Sequence, residues 1–198
     1  YLQRFDYTPD DCLDFHSGIE KVVKPFVEKL MKTRKEQLGL DTLKPWDLSV
    51  DTLNRDPLEP FKEASELEEK CHNIFKAVDD ELGNHFNIMR EQKLLDLSNR
   101  KGKAPGGYCT EYYHRRLPFI FMNAVGTHSD VQTMLHEGGH AFHVFESDQL
   151  PYSAQRDVGM EFAEVASMSM ELLAAPYIAE EYGGFYNSKD ANRARIEH

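Results

Sequence analysis

The residues of this chain best equipped for chemistry are His136, Glu137 and His140, in the run Met134-Leu135-His136-Glu137-Gly138-Gly139-His140-Ala141-Phe142-His143. On an α-helix, residues four apart lie on one face, so His136 and His140 can point ring nitrogens at one cation. Glu137 sits one step round the helix, close enough to hold a water on that cation without being a ligand. Zinc brings the pKa of such a water down toward neutrality, and an adjacent carboxylate can take its proton. Two metal ligands and a general base thus fit into five residues, which is the equipment for metal-assisted hydrolysis.

That spacing has meaning only on a helix and with a third ligand. The helix is well supported. Thr127-His128-Ser129-Asp130 supplies capping residues, and Ser129 with Gln132 fits a capping box. Asp130 suits the positive end of the helix dipole. Val131, Met134, Leu135, Ala141, Phe142 and Phe145 recur at helical spacing. Gly138 and Gly139 run against it, each costing about 1 kcal/mol relative to Ala. A local rule broken beside candidate ligands is typical of a functional site. The expectation is that Gly139 lets another backbone or a substrate pass close to the helix.

The third ligand is sought on the next long helix, expected from about Asp157 to Tyr182 after a loop around Pro151-Tyr152-Ser153. That helix carries Glu161, Glu164 and Glu171. Two His on one helix and a Glu on a following antiparallel helix leave a fourth zinc position open for water. Glu164 is the first choice and Glu161, one turn earlier, the alternative; spacing alone does not separate them. A third His farther along the same segment is ruled out, since Glu146 stands where it would be needed. Glu171 shares a face with Glu164 and could hydrogen-bond a ligand His. His143 lies on the ligand face too, although packing is the commoner fate of such a residue. His128 and His114 read as capping or surface residues.

The elements around these residues bound the answer. The chain has 198 residues, 40% of them hydrophobic, and a formal charge of −11. It is long enough for one sizeable core, or a core with an appended helical hairpin. The acidity argues against nucleic acid as a partner. Cys12, Cys71 and Cys109 are odd in number and widely spaced, which fits a reducing, cytoplasmic setting without structural disulfides. No apolar run approaches membrane-spanning length, so no membrane partner is expected. The absence of an initiator Met and the helical character of the last residues suggest a piece of a longer protein. Oligomeric state is not legible.

In chain order, Thr8-Pro9-Asp10-Asp11 starts a helix that should reach about Leu38, kinked at Pro25. Leu13, Ile19, Val22, Val23, Phe26, Val27 and Leu30 would be its buried face. Trp46 reads as a packed anchor. A second helix is expected from Phe61 to about Leu82, with Leu67, Cys71, Ile74, Phe75 and Val78 on one side, broken by Gly83-Asn84. A shorter element, read as helical, follows through Leu94. The character changes at Arg100-Lys101-Gly102-Lys103-Ala104-Pro105-Gly106-Gly107. Strands are expected at Tyr108-Cys109-Thr110 and Leu117–Asn123, joined by a turn at His114-Arg115-Arg116, with Pro118 marking an edge or a strand start. The glycines are poor candidates for a phosphate loop, because strand rather than helix follows. A hairpin whose open edge, near Gly106, Gly107 and Tyr108, pairs with an extended peptide is the better reading. The division is then a helical region over residues 1–99 and a zinc-binding region over residues 100–198, cut short at its C-terminus.

Four blocks extend the match beyond the histidine motif: Gly102-Lys103-Ala104-Pro105-Gly106-Gly107-Tyr108, Pro118-Phe119-Ile120-Phe121-Met122-Asn123, Asp130 through His143, and Glu161-Phe162-Ala163-Glu164-Val165-Ala166-Ser167. Together they resemble the M3 family of zinc oligopeptidases, oligoendopeptidase F most closely and the thimet oligopeptidase and neurolysin branch more distantly. The resemblance implies a mostly α, zincin-like domain with a small β-hairpin before the metal helix. It implies one Zn2+ per chain on His136, His140 and Glu164, with Glu137 as base. It implies a channel that admits oligopeptides and hydrolysis of their internal bonds. The family also uses a Tyr and a His well after the third ligand, and this chain ends before them. The expectation is therefore zinc binding with weak or no hydrolysis by this piece alone. The rival readings are a carboxypeptidase-like enzyme trimming chain ends and a non-catalytic zinc-stabilised helical module.

Overall fold

The computed structural model describes residues 5–197. Between Pro57 and Leu58 the chain divides into two compact units. The first is built on helix α1 (Pro9–Gln37), which starts in a capping box between Thr8 and Asp11 and continues through Pro25. Its apolar residues are not buried as expected: Val22 is 72% and Phe26 61% exposed, and Trp46 is open at 70%. Among the described residues of this unit, the regular structure beside α1 is one 3-10 turn, Pro45–Ser49. Arg34 ties the two together, donating to Asp47 O at 3.0 Å and also to Val50 O. One turn cannot cover a stripe that runs the length of a helix, so the stripe stays open.

The second unit holds everything else. Helix α2 (Ala64–Val78) buries Leu67, Cys71, Ile74 and Phe75, as its periodicity predicts. The helix does not run on to Gly83. It stops at Asp79, whose extended backbone and side chain cap α3 (Asp80–Glu91) by accepting from Glu81 N at 2.8 Å. Gly83 lies inside α3, where a Cβ would come within 2.8 Å of Lys76 Cβ. It serves close packing of α2 on α3 and breaks nothing.

The short helical element expected before Leu94 is α3, and a strand follows it. β1 (Leu95–Ser98) lies parallel to β3 (Leu117–Ala124), pairing Leu95 with Ile120 and Asp96 with Phe121. β2 (Tyr108–Tyr112) runs antiparallel to β3, from Tyr108 opposite Phe121 to Tyr112 opposite Leu117. The order β1-β3-β2 makes β3 central, so Pro118 does not mark an edge. It marks the strand start, ahead of the first partner that β1 offers, where its missing N–H breaks no ladder bond with β1. Lys103 joins the glycine-rich turn to this sheet. Its side chain is 1% exposed, and the ammonium donates to Asp96 Oδ1 at 3.0 Å, to Ser98 O at 2.9 Å and to Met122 O.

Helices α4 (His128–Asp148), α5 (Ser153–Arg156), α6 (Met160–Ala174) and α7 (Ser188–Glu197) complete the unit. The long helix expected to Tyr182 ends as α-helix at Ala174 and gives way to 3-10 turns at Ala175–Tyr177 and Glu180–Tyr182. Pro176, with no N–H to donate and a ring that clashes with the preceding turn, accounts for the stop. The core gathers Phe75 and Phe86, Ile120 and Met122, and Met134 and Leu135, with Phe75 edge-on to Phe142 at 4.8 Å. Among the described residues, no helix is long and apolar enough to cross a membrane.

Candidate metal centre

The centre is positioned by α4. Its cap is Thr127 with Asp130, two residues earlier than the expected Ser129–Gln132 pair. Asp130 Oδ2 accepts from Val125 N, Thr127 N and Thr127 Oγ1 at 3.0, 2.8 and 2.9 Å. Three donors satisfy the buried carboxylate and fix where the helix begins. Val131, Met134, Leu135, Ala141 and Phe142 then face the core. Gly138 takes the Phe75 ring, which a Cβ would meet at 2.5 Å. At Gly139 a Cβ would lie 2.6 Å from Ser167 Cα and 2.7 Å from Ala166 O. Gly139 therefore admits another backbone, that of α6, and this close crossing brings α6 under the two histidines.

Donor atoms of His136, His140 and Glu164 lie within 4.8 Å of one another. Glu164 Oε2 stands 3.2 Å from His136 Nε2, and Oε1 stands 3.7 Å from His140 Nε2. His136 Nδ1 meets Glu171 Oε1 at 2.6 Å. A carboxylate there fixes the proton on Nδ1 and leaves Nε2 as the lone-pair nitrogen. Glu164 is steadied in turn. Ser167 Oγ, fully buried, donates to Glu164 Oε2 at 3.0 Å. Ser167 escaped the sequence reading, although a small polar residue three positions after Glu164 shares its face. Glu161, one turn earlier, is exposed and outside the cluster. His143 also falls outside it, lining an apolar groove with Leu82, Phe142, Phe162, Val165 and Leu173.

Glu137 is buried, at 8% exposure. Burial pushes its carboxyl above the ordinary range; His136 and a backbone hydrogen bond from Cys109 pull it back, and Glu164 raises it further. The Cys109 contact follows from register. Ile120 donates to Leu94 O at 3.0 Å, so Cys109, opposite Ile120, turns its amide away from β3 to the open edge of β2. Burial likewise lowers the His140 pKa, while Glu164 raises it. A pocket of about 210 Å³ opens here, lined by Ser129, Gln132, Thr133, His136, Glu137 and Glu171.

The glycine-rich turn lies against the same helix. Gly107 would place a Cβ 3.1 Å from Thr133 Cγ2. Gly106 has φ +104, a conformation that needs glycine, and its carbonyl accepts from Asn123 Nδ2 at 2.9 Å. Tyr108 is half exposed and stacks on Phe121 at 5.0 Å. His114 is exposed. His128 is half-buried, with Nδ1 at 2.7 Å from Tyr186 Oη, so it ties α4 to the segment before α7.

Two imidazole nitrogens and one carboxylate converging on one point fit a zinc ion and leave one tetrahedral position open. Comparisons with known proteins place the chain in a family. The description "Peptidase family M3" matches residues 1–194. Group B oligopeptidase PepB of Streptococcus agalactiae is 28% identical over 158 residues, which cover 79% of this chain and 26% of that protein. Oligopeptidase PepF of Bacillus subtilis is 24% identical over 78% of this chain and 22% of its own length. The structure of PZ peptidase A with an inhibitor superposes with a TM-score of 0.88 at 32% identity, covering all of this chain and 34% of that one. The chain therefore spans about a quarter to a third of these relatives. With a family match along nearly its whole length, the chain belongs to peptidase family M3.

Proposed function

We propose that this chain forms the zinc-binding core of an endopeptidase that hydrolyses internal bonds of oligopeptides. The observation that carries the reading is the meeting of His136, His140 and Glu164 beside the buried carboxylate of Glu137. His136, His140 and Glu164 would hold the zinc. Bound there, zinc supplies Lewis-acid polarisation of the scissile carbonyl and makes water acidic enough to lose a proton near neutral pH. Glu137 takes that proton and delivers it to the departing amine. Glu171 holds the His136 ring in the tautomer that presents Nε2, and Ser167 holds Glu164 in the rotamer that reaches both histidines. The open edge of β2, entered through Gly106, Gly107 and Tyr108, would take an extended peptide by strand pairing.

The test compares the chain with Glu137→Gln and Glu164→Gln. The tightly held zinc, followed by metal analysis, is kept in Glu137→Gln and reduced in Glu164→Gln, because only the second change removes a ligand. Any turnover of a mid-length peptide that the wild-type chain shows by mass spectrometry, weak as it is expected to be, is lost in Glu137→Gln. Internal cuts in the wild type support the endopeptidase reading, and end-trimming would transfer it to an exopeptidase. Undiminished turnover in Glu137→Gln removes the base assignment.

A further inference from the structure

Outside that centre, one more group of ligating side chains converges among the described residues. Glu81 and His85 of α3 meet Glu146 of α4, each offering a donor atom within 4.8 Å of the others. We propose that these three residues form a second, weaker zinc site that ties α3 to the last turns of α4. This site does not depend on the peptidase reading.

Three observations carry it. First, Glu81 and His85 are four apart on α3, so one helix face presents both, as α4 does with His136 and His140. Second, His85 Nδ1 is buried and meets no hydrogen-bond partner. Buried polar atoms are rarely left unpaired, so such an atom points to a missing partner. Third, Nδ1 stands 3.9 Å from Glu146 Oε1. That is too long for a hydrogen bond. With metal–ligand bonds of about 2.0–2.2 Å, two donors on one ion stand roughly 3–4 Å apart. The corresponding gaps at the first centre are 3.2 and 3.7 Å.

The ring is held in place for this role. His85 stacks on Phe145 at 4.5 Å and 8° between planes, with Phe142 at 6.4 Å. Its aim at Glu146 is thus set by packing rather than by a flexible stem. Two carboxylates balance a dipositive ion, and the imidazole favours zinc over magnesium or calcium. The site is the weaker one because Glu81 and Glu146 are exposed and lose rotamer freedom when they bind. The competing account is a bare ion pair between protonated His85 and Glu146, which predicts no second metal.

The experiment is zinc titration of the metal-stripped chain by calorimetry, with equilibrium dialysis to count the metal. Wild type takes up two equivalents, one tight and one weak. Glu146→Gln, a change at an exposed position, removes the weak equivalent or weakens it beyond the roughly 10–100-fold that follows from changing a ligand's outer partners. Its far-UV circular dichroism and its Tm in EDTA stay those of wild type. His85→Gln gives the same loss. Glu164→Gln weakens the tight equivalent and keeps the weak one, which separates the two sites. A single equivalent in the wild type overturns the proposal. So does a weak equivalent that survives both Glu146→Gln and His85→Gln, or one that disappears in Glu164→Gln.

Discussion

Gly139→Ala is the sharpest test of how the centre is assembled. In an isolated helix the change adds about 1 kcal/mol of stability, because Ala has the better propensity. Here the new methyl would lie 2.6 Å from Ser167 Cα, 2.7 Å from Ala166 O and 2.9 Å from Met170 Cβ. Ordinary contact begins at 3.4 Å, so α6 must withdraw by about 0.8 Å. Two of the three opposing atoms are backbone and cannot rotate away. Overpacking of this kind costs about 1–3 kcal/mol, which exceeds the propensity gain and leaves roughly 1 kcal/mol of net loss. The larger consequence falls on the proposed zinc site. Glu164 rides on α6 and stands 3.2 and 3.7 Å from the two histidine nitrogens. A displacement of most of an ångström spoils both distances, and zinc affinity should fall by about 10–100-fold, as when a ligand loses its orienting partner. The assays are urea unfolding in EDTA and zinc competition against a chelator. Gly18→Ala, in an exposed stretch of α1 with nothing within 4 Å of the new methyl, is the control that should gain stability. A Gly139→Ala protein that is stabilised and binds zinc as before would refute the argument that this glycine sets the spacing of α4 and α6.

Three further outcomes follow from the same geometry. Glu171→Gln keeps the shape but loses the charge-assisted bond to His136 Nδ1, and zinc affinity should drop about 10–100-fold with the fold intact by circular dichroism. Ser167→Ala removes the hydroxyl that donates to Glu164 Oε2, and chelator competition should show weaker zinc binding, about tenfold, with little change in unfolding midpoint. Asp96 is held at a pKa of about 2, first by its hydrogen bonds to Arg100 and then by Lys103. A carboxyl depressed in the folded state adds stability above its ordinary pKa of 3.8 and gives it up as pH falls toward 2. Urea midpoints should therefore fall more steeply between pH 5 and pH 2.5 in wild type than in Asp96→Asn; equal slopes would show that the pair does not stabilise the fold.

Sequence and structure divide along a physical line. What depends on neighbours within one helical turn was legible beforehand. His136 and His140 share a face because they are four apart, and Glu137 follows by position. The core stripes of α2 and α4 follow from the same period, as does the cap of α1, where Thr8, Pro9 and Asp11 act on adjacent atoms. The strands β2 and β3 announced themselves through the turn that joins them. Strand β1 did not, because its partner is β3, more than twenty residues away in sequence, and parallel pairing leaves no hairpin signature.

Distance along the chain also hid the rest. Nothing local separates Glu161 from Glu164; only the crossing of α6 over Gly139 brings Glu164 to the histidines and leaves Glu161 exposed. Gly83 looks like a breaker in one dimension and is a packing contact in three, since Lys76 passes against it. An apolar stripe such as that of α1 records that a surface is needed, but not whether the elements beside it in the same unit supply one. The sequence by itself determined the chemistry available at the centre, because ligand type and helical period are local properties. Tertiary structure decided which carboxylate reaches the histidines, which groups hold His136 and Glu164 in place, and that His85 and Glu146 meet at all, because those depend on where distant segments come to rest against one another.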